Sequence, residues 1–70
     1  MKFNYYEDTD SLYIDLSEKK SVESAEVAPN VVVDFDEEGH IVGIDIDNAS
    51  KIVNLKHFEF DMLPLKNRLK

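Results

Sequence analysis

Val31-Val32-Val33-Asp34-Phe35-Asp36-Glu37-Glu38-Gly39-His40-Ile41-Val42-Gly43-Ile44-Asp45-Ile46 is the stretch whose reading decides the fold. β-Branched residues dominate residues 31–35 and 41–46, and such side chains suit a pleated, half-buried surface. Asp36-Glu37-Glu38-Gly39 between them is a polar cluster closed by a glycine, the composition of a hairpin turn. The sequence therefore predicts an antiparallel hairpin. Two registers compete. A three-residue loop, Glu37 to Gly39, sets Asp36 against His40 and Val33 against Gly43, and leaves apolar residues on both faces. A four-residue loop, Asp36 to Gly39, sets Phe35 against His40 and Val33 against Val42. It gathers Val31, Val33, Phe35, Val42, Ile44 and Ile46 on one face, with Asp34, Gly43 and Asp45 opposite. Slipping one residue exchanges the faces, and the single clean apolar face favours the four-residue loop.

Working outward, Phe3-Asn4-Tyr5-Tyr6 and Leu12-Tyr13-Ile14-Asp15-Leu16 alternate with the period of strands. The polar run Glu7-Asp8-Thr9-Asp10 between them suits a turn, so these segments form a first hairpin. Residues Ser17 to Lys20 turn again. Val22 to Val27 is a weaker, edge-like strand whose Glu23 and Glu26 discourage pairing with other chains. Ala28-Pro29-Asn30 ends it, because proline cannot donate to a ladder. Asn48-Ala49-Ser50 starts a helix with Asp47 or Asn48 as N-cap, and a helical segment is expected over about 48–58. Leu55, Phe58, Met62, Leu65 and Leu69 recur at helical spacing, but Pro64 interrupts that stripe. Phe58-Glu59-Phe60 alternates like a strand. The expected fold is α+β and mostly β. It comprises a meander sheet of four to five antiparallel strands over about 2–46, with one C-terminal helical segment in a tail over about 48–70. All 70 residues are read as one domain.

A chain of this length buries only about 60% of the surface exposed on unfolding. It has no cysteine, so disulfides are excluded and zinc is disfavoured. The support that remains is oligomerisation, and a homodimer is expected. Fifteen acidic against eight basic residues give a net charge of −7. A nucleic-acid binder needs a basic footprint to displace counterions. Here that footprint is limited to Lys19 and Lys20 and the tail cluster Lys66, Arg68 and Lys70, which argues against nucleic acid and against an anionic membrane. No apolar run approaches the roughly 18 residues of a membrane span, and Met1 to Tyr5 lack a signal peptide's apolar core. Cytoplasmic residence is the expectation.

The acidic turn invites a metal reading. Asp34, Asp36 and Glu38 occupy positions one, three and five of a calcium-loop pattern, with Gly39 at six, Ile41 at eight and Asp45 at twelve. Asp45 is too short for the bidentate role, and two paired strands cannot wrap a loop around an ion. A plain hairpin turn is the better reading. Asp8/Asp10 and Asp45/Asp47 are carboxylate pairs without a partnering base or phosphate loop, so turn and cap roles account for them. His40 and His57 lack the second groups a catalytic or ligand role requires. Ser11, Ser17, Ser21, Ser24 and Ser50 sit in no nucleophile elbow. Tyr5, Tyr6 and Tyr13 crowd the first hairpin, where sheet packing outweighs an interface role. No catalytic, cofactor or metal residue is assigned, and no enzyme activity is expected.

Tyr6 to Ile14, Glu26 to Val31, Asp34 to Ile46 and Asn48-Ala49-Ser50, in that order, resemble the domain of unknown function 2283 family of small prokaryotic proteins. The resemblance runs from about Phe3 to Ser50. It departs where Asp8 and Asp10 flank Thr9 and where His40 stands in place of a frequent arginine. The resemblance implies a small antiparallel sheet with a helix and no established activity. Some such proteins lie beside small toxin-like genes, so it also implies an antitoxin-like role, by association alone. Two functions are carried forward. The first is an acidic protein-interaction module that neutralises a small basic protein. The alternative is a divalent-ion or small-ligand binder using Asp34, Asp36 and Glu38 of the hairpin turn.

Overall fold

The computed structural model describes residues 1–61. Five strands run in chain order: β1 (Lys2–Tyr6), β2 (Ser11–Asp15), β3 (Glu23–Ala28), β4 (Val31–Phe35) and β5 (Ile41–Asp47). One helical turn, α1 (Ala49–Ile52), follows. All the strands belong to a single antiparallel sheet. The mostly-β fold with a small helix is as expected, but the strand order is not a meander. The order is β1-β2-β5-β4-β3, so β2 pairs with β5 and not with β3. The aliphatic strand β5 takes the middle. The charged strand β3, exposed along its whole length, takes an edge. Residues 16–22 carry the chain from β2 to β3. The crossing spans three strand spacings, roughly 14 Å, and seven residues reach roughly 23 Å.

The β4–β5 hairpin combines parts of both registers. Its loop is the three-residue one: the Asp36 amide donates to the His40 carbonyl at 2.9 Å, and Gly39 takes φ 83°. The four-residue loop is thereby corrected. Phe35 then stands opposite Ile41, whereas Asp34 stands opposite Gly43 and Val33 opposite Ile44. Val42 is thus an extra residue, a β-bulge, and one added residue restores the parity that the shorter loop would have reversed. The faces expected from the four-residue loop therefore survive.

Cross-strand partners share a face, and on the apolar face they form two rows across the sheet. Phe3, Ile14, Ile44, Val33 and Ala25 make one row; Tyr5, Leu12, Ile46, Val31 and Ala28 make the other. Coverage is thin. Among the described residues only Val33, Val42 and Ala49 are buried apolar residues, and no large side chain is fully buried.

The helix is much shorter than the expected 48–58. It stops at Val53, whose backbone is extended at φ −124° and ψ 159°. Asn54 then builds a competing turn: its side-chain oxygen accepts the Lys56 amide at 3.1 Å and its carbonyl accepts the His57 amide at 3.4 Å. Asparagine favours such local bonds over helix. Residues 57–61 adopt no regular element. Met62, Pro64, Leu65 and Leu69, with the basic cluster Lys66, Arg68 and Lys70, lie outside the described residues.

Candidate functional site

The face opposite the apolar rows collects carboxylates because their positions alternate with the apolar ones. Tyr13 pairs with Asp45, Asp15 with Gly43, Gly43 with Asp34, and Ser11 with Asp47. Asp15, Asp34, Asp45 and Asp47 therefore stand on one surface, with Glu26 beyond Val32. Lys2 is paired across from Asp15. Among the described residues the ion pairs involve only His40 and His57, so no lysine neutralises this surface by direct contact. Partial burial, then Asp47 and Asp34, push the Asp45 carboxyl above its ordinary pKa. The face holds more negative charge than its own neighbours compensate.

Tyr13 organises the centre of that face. Its ring leans from β2 across Gly43 of β5, and its hydroxyl donates to Asp34 Oδ2 on β4 at 2.9 Å. Asp34 Oδ1 accepts the Ser24 hydroxyl at 2.6 Å, so one carboxylate ties β2 and β3 to β4. Any side chain at 43 would collide with the ring: a Cβ there would lie 2.6 Å from Tyr13 Cζ. Burial, followed by the bond to Asp34, pushes the Tyr13 hydroxyl up to about 12.

The calcium-loop acids do not converge as the pattern proposed. Both Asp34 oxygens take hydroxyl donors on the sheet face. Asp36 is buried under the turn, where its Oδ1 accepts the amides of Glu38 and His40, each at 2.9 Å. The His40 amide, with that of Glu38, holds the Asp36 carboxyl below its ordinary pKa. Asp36, Glu38 and His40 do approach one another, with one potential ligand atom from each within 4.8 Å of the others. His40, itself exposed, lies 3.6 Å from Glu38 and 3.9 Å from Asp36.

The carboxylate pairs separate in function. Asp8 is an exposed turn residue. Asp10, at φ 54°, reaches the start of α1: its Oδ1 accepts the Ser50 amide at 3.1 Å, its Oδ2 the Ser50 hydroxyl at 2.7 Å, and its carbonyl the Ala49 amide at 2.9 Å. Asp10 Oδ1 also accepts the Tyr5 hydroxyl at 2.7 Å. Neither expected cap does this work. Asn48 sits in the left-handed region without a capping bond and turns its amide to Asn30, and Asp47 accepts the Ser11 hydroxyl at 3.3 Å. Sequence reading missed the cap because its signal is sought next to the helix, not 40 residues before it. His57 is exposed and lies 3.2 Å from Glu59. Ser11, Ser24 and Ser50 each donate to a carboxylate.

On the apolar face, residues 53–58 run along β1, β2 and β5 and wall a groove of about 570 Å³ with Phe3, Tyr5, Leu12, Ile14 and Ile46 on its floor. Phe58 closes one side against Phe3, ring centroids 5.2 Å apart and edge-on. Among the described residues, no helix is long and apolar enough to cross a membrane.

An antiparallel sheet with one acidic face, one open apolar face and a helical turn capped from the first hairpin defines a small β-sheet domain. The family model "Protein of unknown function (DUF2283)" matches residues 2–50, and the chain belongs to that family. The match ends at Ser50, the residue that Asp10 caps. The chain is also similar to an uncharacterized protein of Methanocaldococcus jannaschii, 34% identical over 70 residues. That alignment takes in all of this chain and 56% of the relative, so the chain spans about half the length of the curated relative it matches. No solved structure gives a significant match.

Proposed function

We propose that the chain is a non-enzymatic, acidic protein-interaction module that works in the cytoplasm as a homodimer and binds a small basic protein, in the manner of an antitoxin. The observation that supports this reading is the row Asp15, Asp34, Asp45 and Asp47 on one sheet face, with Lys2 across from Asp15 as the lysine among its cross-strand partners. Fixed negative charge on a stiff sheet attracts a cationic partner from a distance and raises its association rate. The test is capture from the native host at low salt, followed by binding of the recovered basic protein to the parent chain and to the double variant Asp45→Asn/Asp47→Asn. Affinity should fall steeply with added salt and fall further in the variant. A complex indifferent to both would contradict the reading.

A second reading, divalent-ion binding at the turn, has the approach of Asp36, Glu38 and His40 in its favour. It replaces the Asp34, Asp36 and Glu38 set, since Asp34 is engaged elsewhere. Asp36 is already committed to two amides, which weighs against it. Calcium or magnesium titration followed by NMR decides: saturable shifts of Glu38 and His40 at sub-millimolar ion would favour the ion.

A further inference from the structure

We infer that the ring of Tyr13, with the carboxylates of Asp15 and Asp45 beside it, is a receptor for an arginine side chain of a protein partner. The inference rests on the reading of the acidic face as the binding surface, and it names the group that docks there.

The site follows from the register. Asp15, Gly43 and Asp34 stand in one row across the face, and Tyr13 and Asp45 in the next. Gly43 leaves a gap between two acids. The Tyr13 ring fills that gap, held by its hydroxyl on Asp34 at 2.9 Å. Gly43 is buried and Tyr13 is half-buried, so the ring covers backbone on one side and meets solvent on the other. Carboxylates rim it: Asp34 beyond the hydroxyl, Asp45 at the cross-strand position and Asp15 two residues along β2. Their charges reach the ring, since Asp15 and Asp45 join burial and Asp34 in raising its hydroxyl.

These acids are not equally engaged. Asp34 accepts two hydroxyls and Asp47 accepts one. Among the described residues, Asp15 and Asp45 enter no side-chain hydrogen bond, and neither forms an ion pair, although Lys2 stands across from Asp15. The two are diagonal cross-strand neighbours, about 7–8 Å apart at the backbone. One cation above the ring therefore reaches both.

The ring selects among cations. A hard metal ion takes a shell of oxygens and gains nothing from an aromatic surface. An organic cation is drawn to the face of the ring. An ammonium is a compact point charge, whereas a guanidinium is a plate that stacks on the ring while its N–H groups bond carboxylates at the edge. A tyrosine with unengaged acids at its rim fits the plate.

NMR titration of the full chain at low salt with capped tetra-arginine and tetralysine, equal in charge, tests this. Tetra-arginine should bind at least about fivefold more tightly, with intermolecular NOEs from its methylenes to the Tyr13 ring protons. Asp15→Asn and Asp45→Asn should each reduce that preference. Asp8→Asn, on the exposed turn, removes the same charge and should keep it. Tyr13→Leu should abolish it; because that change also disturbs the sheet, the NOEs of the parent chain provide the second readout. Equal affinities without contact at Tyr13 overturn the inference and leave the acidic face as a general cationic surface. Binding of neither peptide overturns it too, and the basic partner then stands or falls by its own capture. A preference that Asp8→Asn lowers as much as Asp45→Asn overturns it equally.

Discussion

Asp10 and Ser50 are joined by two hydrogen bonds, amide to Oδ1 at 3.1 Å and hydroxyl to Oδ2 at 2.7 Å, across 40 residues of chain. A single helical turn has almost no stability of its own, so α1 persists because the first hairpin accepts its leading donors. Asp10→Ala removes both acceptors. It should lower the melting temperature by roughly 4–8 °C, the shift of a cap-sized loss in a domain this small. Exchange at the Val53 amide, which bonds the Ala49 carbonyl, should accelerate. Asp10→Asn should lose less, because its carbonyl oxygen still accepts the Ser50 amide.

Asp10 also sets part of the acid response. The Tyr5 hydroxyl, then Ser50, hold its carboxyl below the ordinary value of 3.8. A group with a depressed folded pKa stabilises the fold above its unfolded pKa, and that contribution is lost as pH falls through the folded value. Asp36 acts in the same direction. Chemical denaturation across pH should show stability falling below about pH 3.8, and the fall should be shallower in Asp10→Ala. An identical slope in both proteins would contradict the assignment.

Tyr13 gives a response at the alkaline end. Its hydroxyl is raised from 10.0 to about 12 by burial and by Asp34. The unfolded chain ionises first, so stability is fully present below pH 10 and declines as pH rises through about 12. Tyr5 is raised as well by its bond to Asp10, so spectroscopic titration should show Tyr13 as the last to ionise, and Tyr13→Phe should remove that last step at a cost of about 1 kcal/mol for the lost hydrogen bond. Gly43→Ala should cost more, because its methyl group displaces the ring itself.

The β-branched arms at 31–35 and 41–46 marked the central hairpin in the sequence, and alternation marked the first. Periodicity is a local signal and those elements are local. Strand order was not legible, because pairing of β2 with β5 joins Ser11 to Asp47, far apart in the chain. Nor was the Val42 bulge, since one inserted residue exchanges loop length while preserving the faces. At the site, the carboxylates were visible as residues, but their gathering on one surface follows from the β2–β5 register. The helix was overestimated because Leu55 and Phe58 fit its spacing, while the decisive residue was Asn54, which turns the backbone aside.

Asp45 should separate stability from function. Burial, Asp47 and Asp34 raise its pKa, so its charged form costs the fold something at neutral pH. Asp45→Asn should stabilise the chain slightly, by up to about 0.5 kcal/mol, because solvent screens a partly exposed carboxylate. On the proposed function the same change should weaken capture of a basic protein at low salt. A variant that gains stability and keeps full affinity would show that the acids serve solubility alone.

Gly39 and Gly43 are required for different reasons, and paired substitutions tell them apart. Gly39 takes φ 83° with nothing within 4 Å of a Cβ built there, so alanine meets no neighbour and only the left-handed backbone resists it. Gly39→Ala should cost roughly 1–2 kcal/mol, and Gly39→Asn less, since asparagine tolerates that region. Gly43 has no such backbone demand, so asparagine brings no relief and the ring of Tyr13 opposes both replacements. Adding Tyr13→Ala should therefore rescue Gly43→Ala in part and leave the cost of Gly39→Ala unchanged. Thermal unfolding of the five single and two double variants measures this directly. Rescue at 39, or none at 43, would mean that the hairpin depends on its two glycines for some other reason.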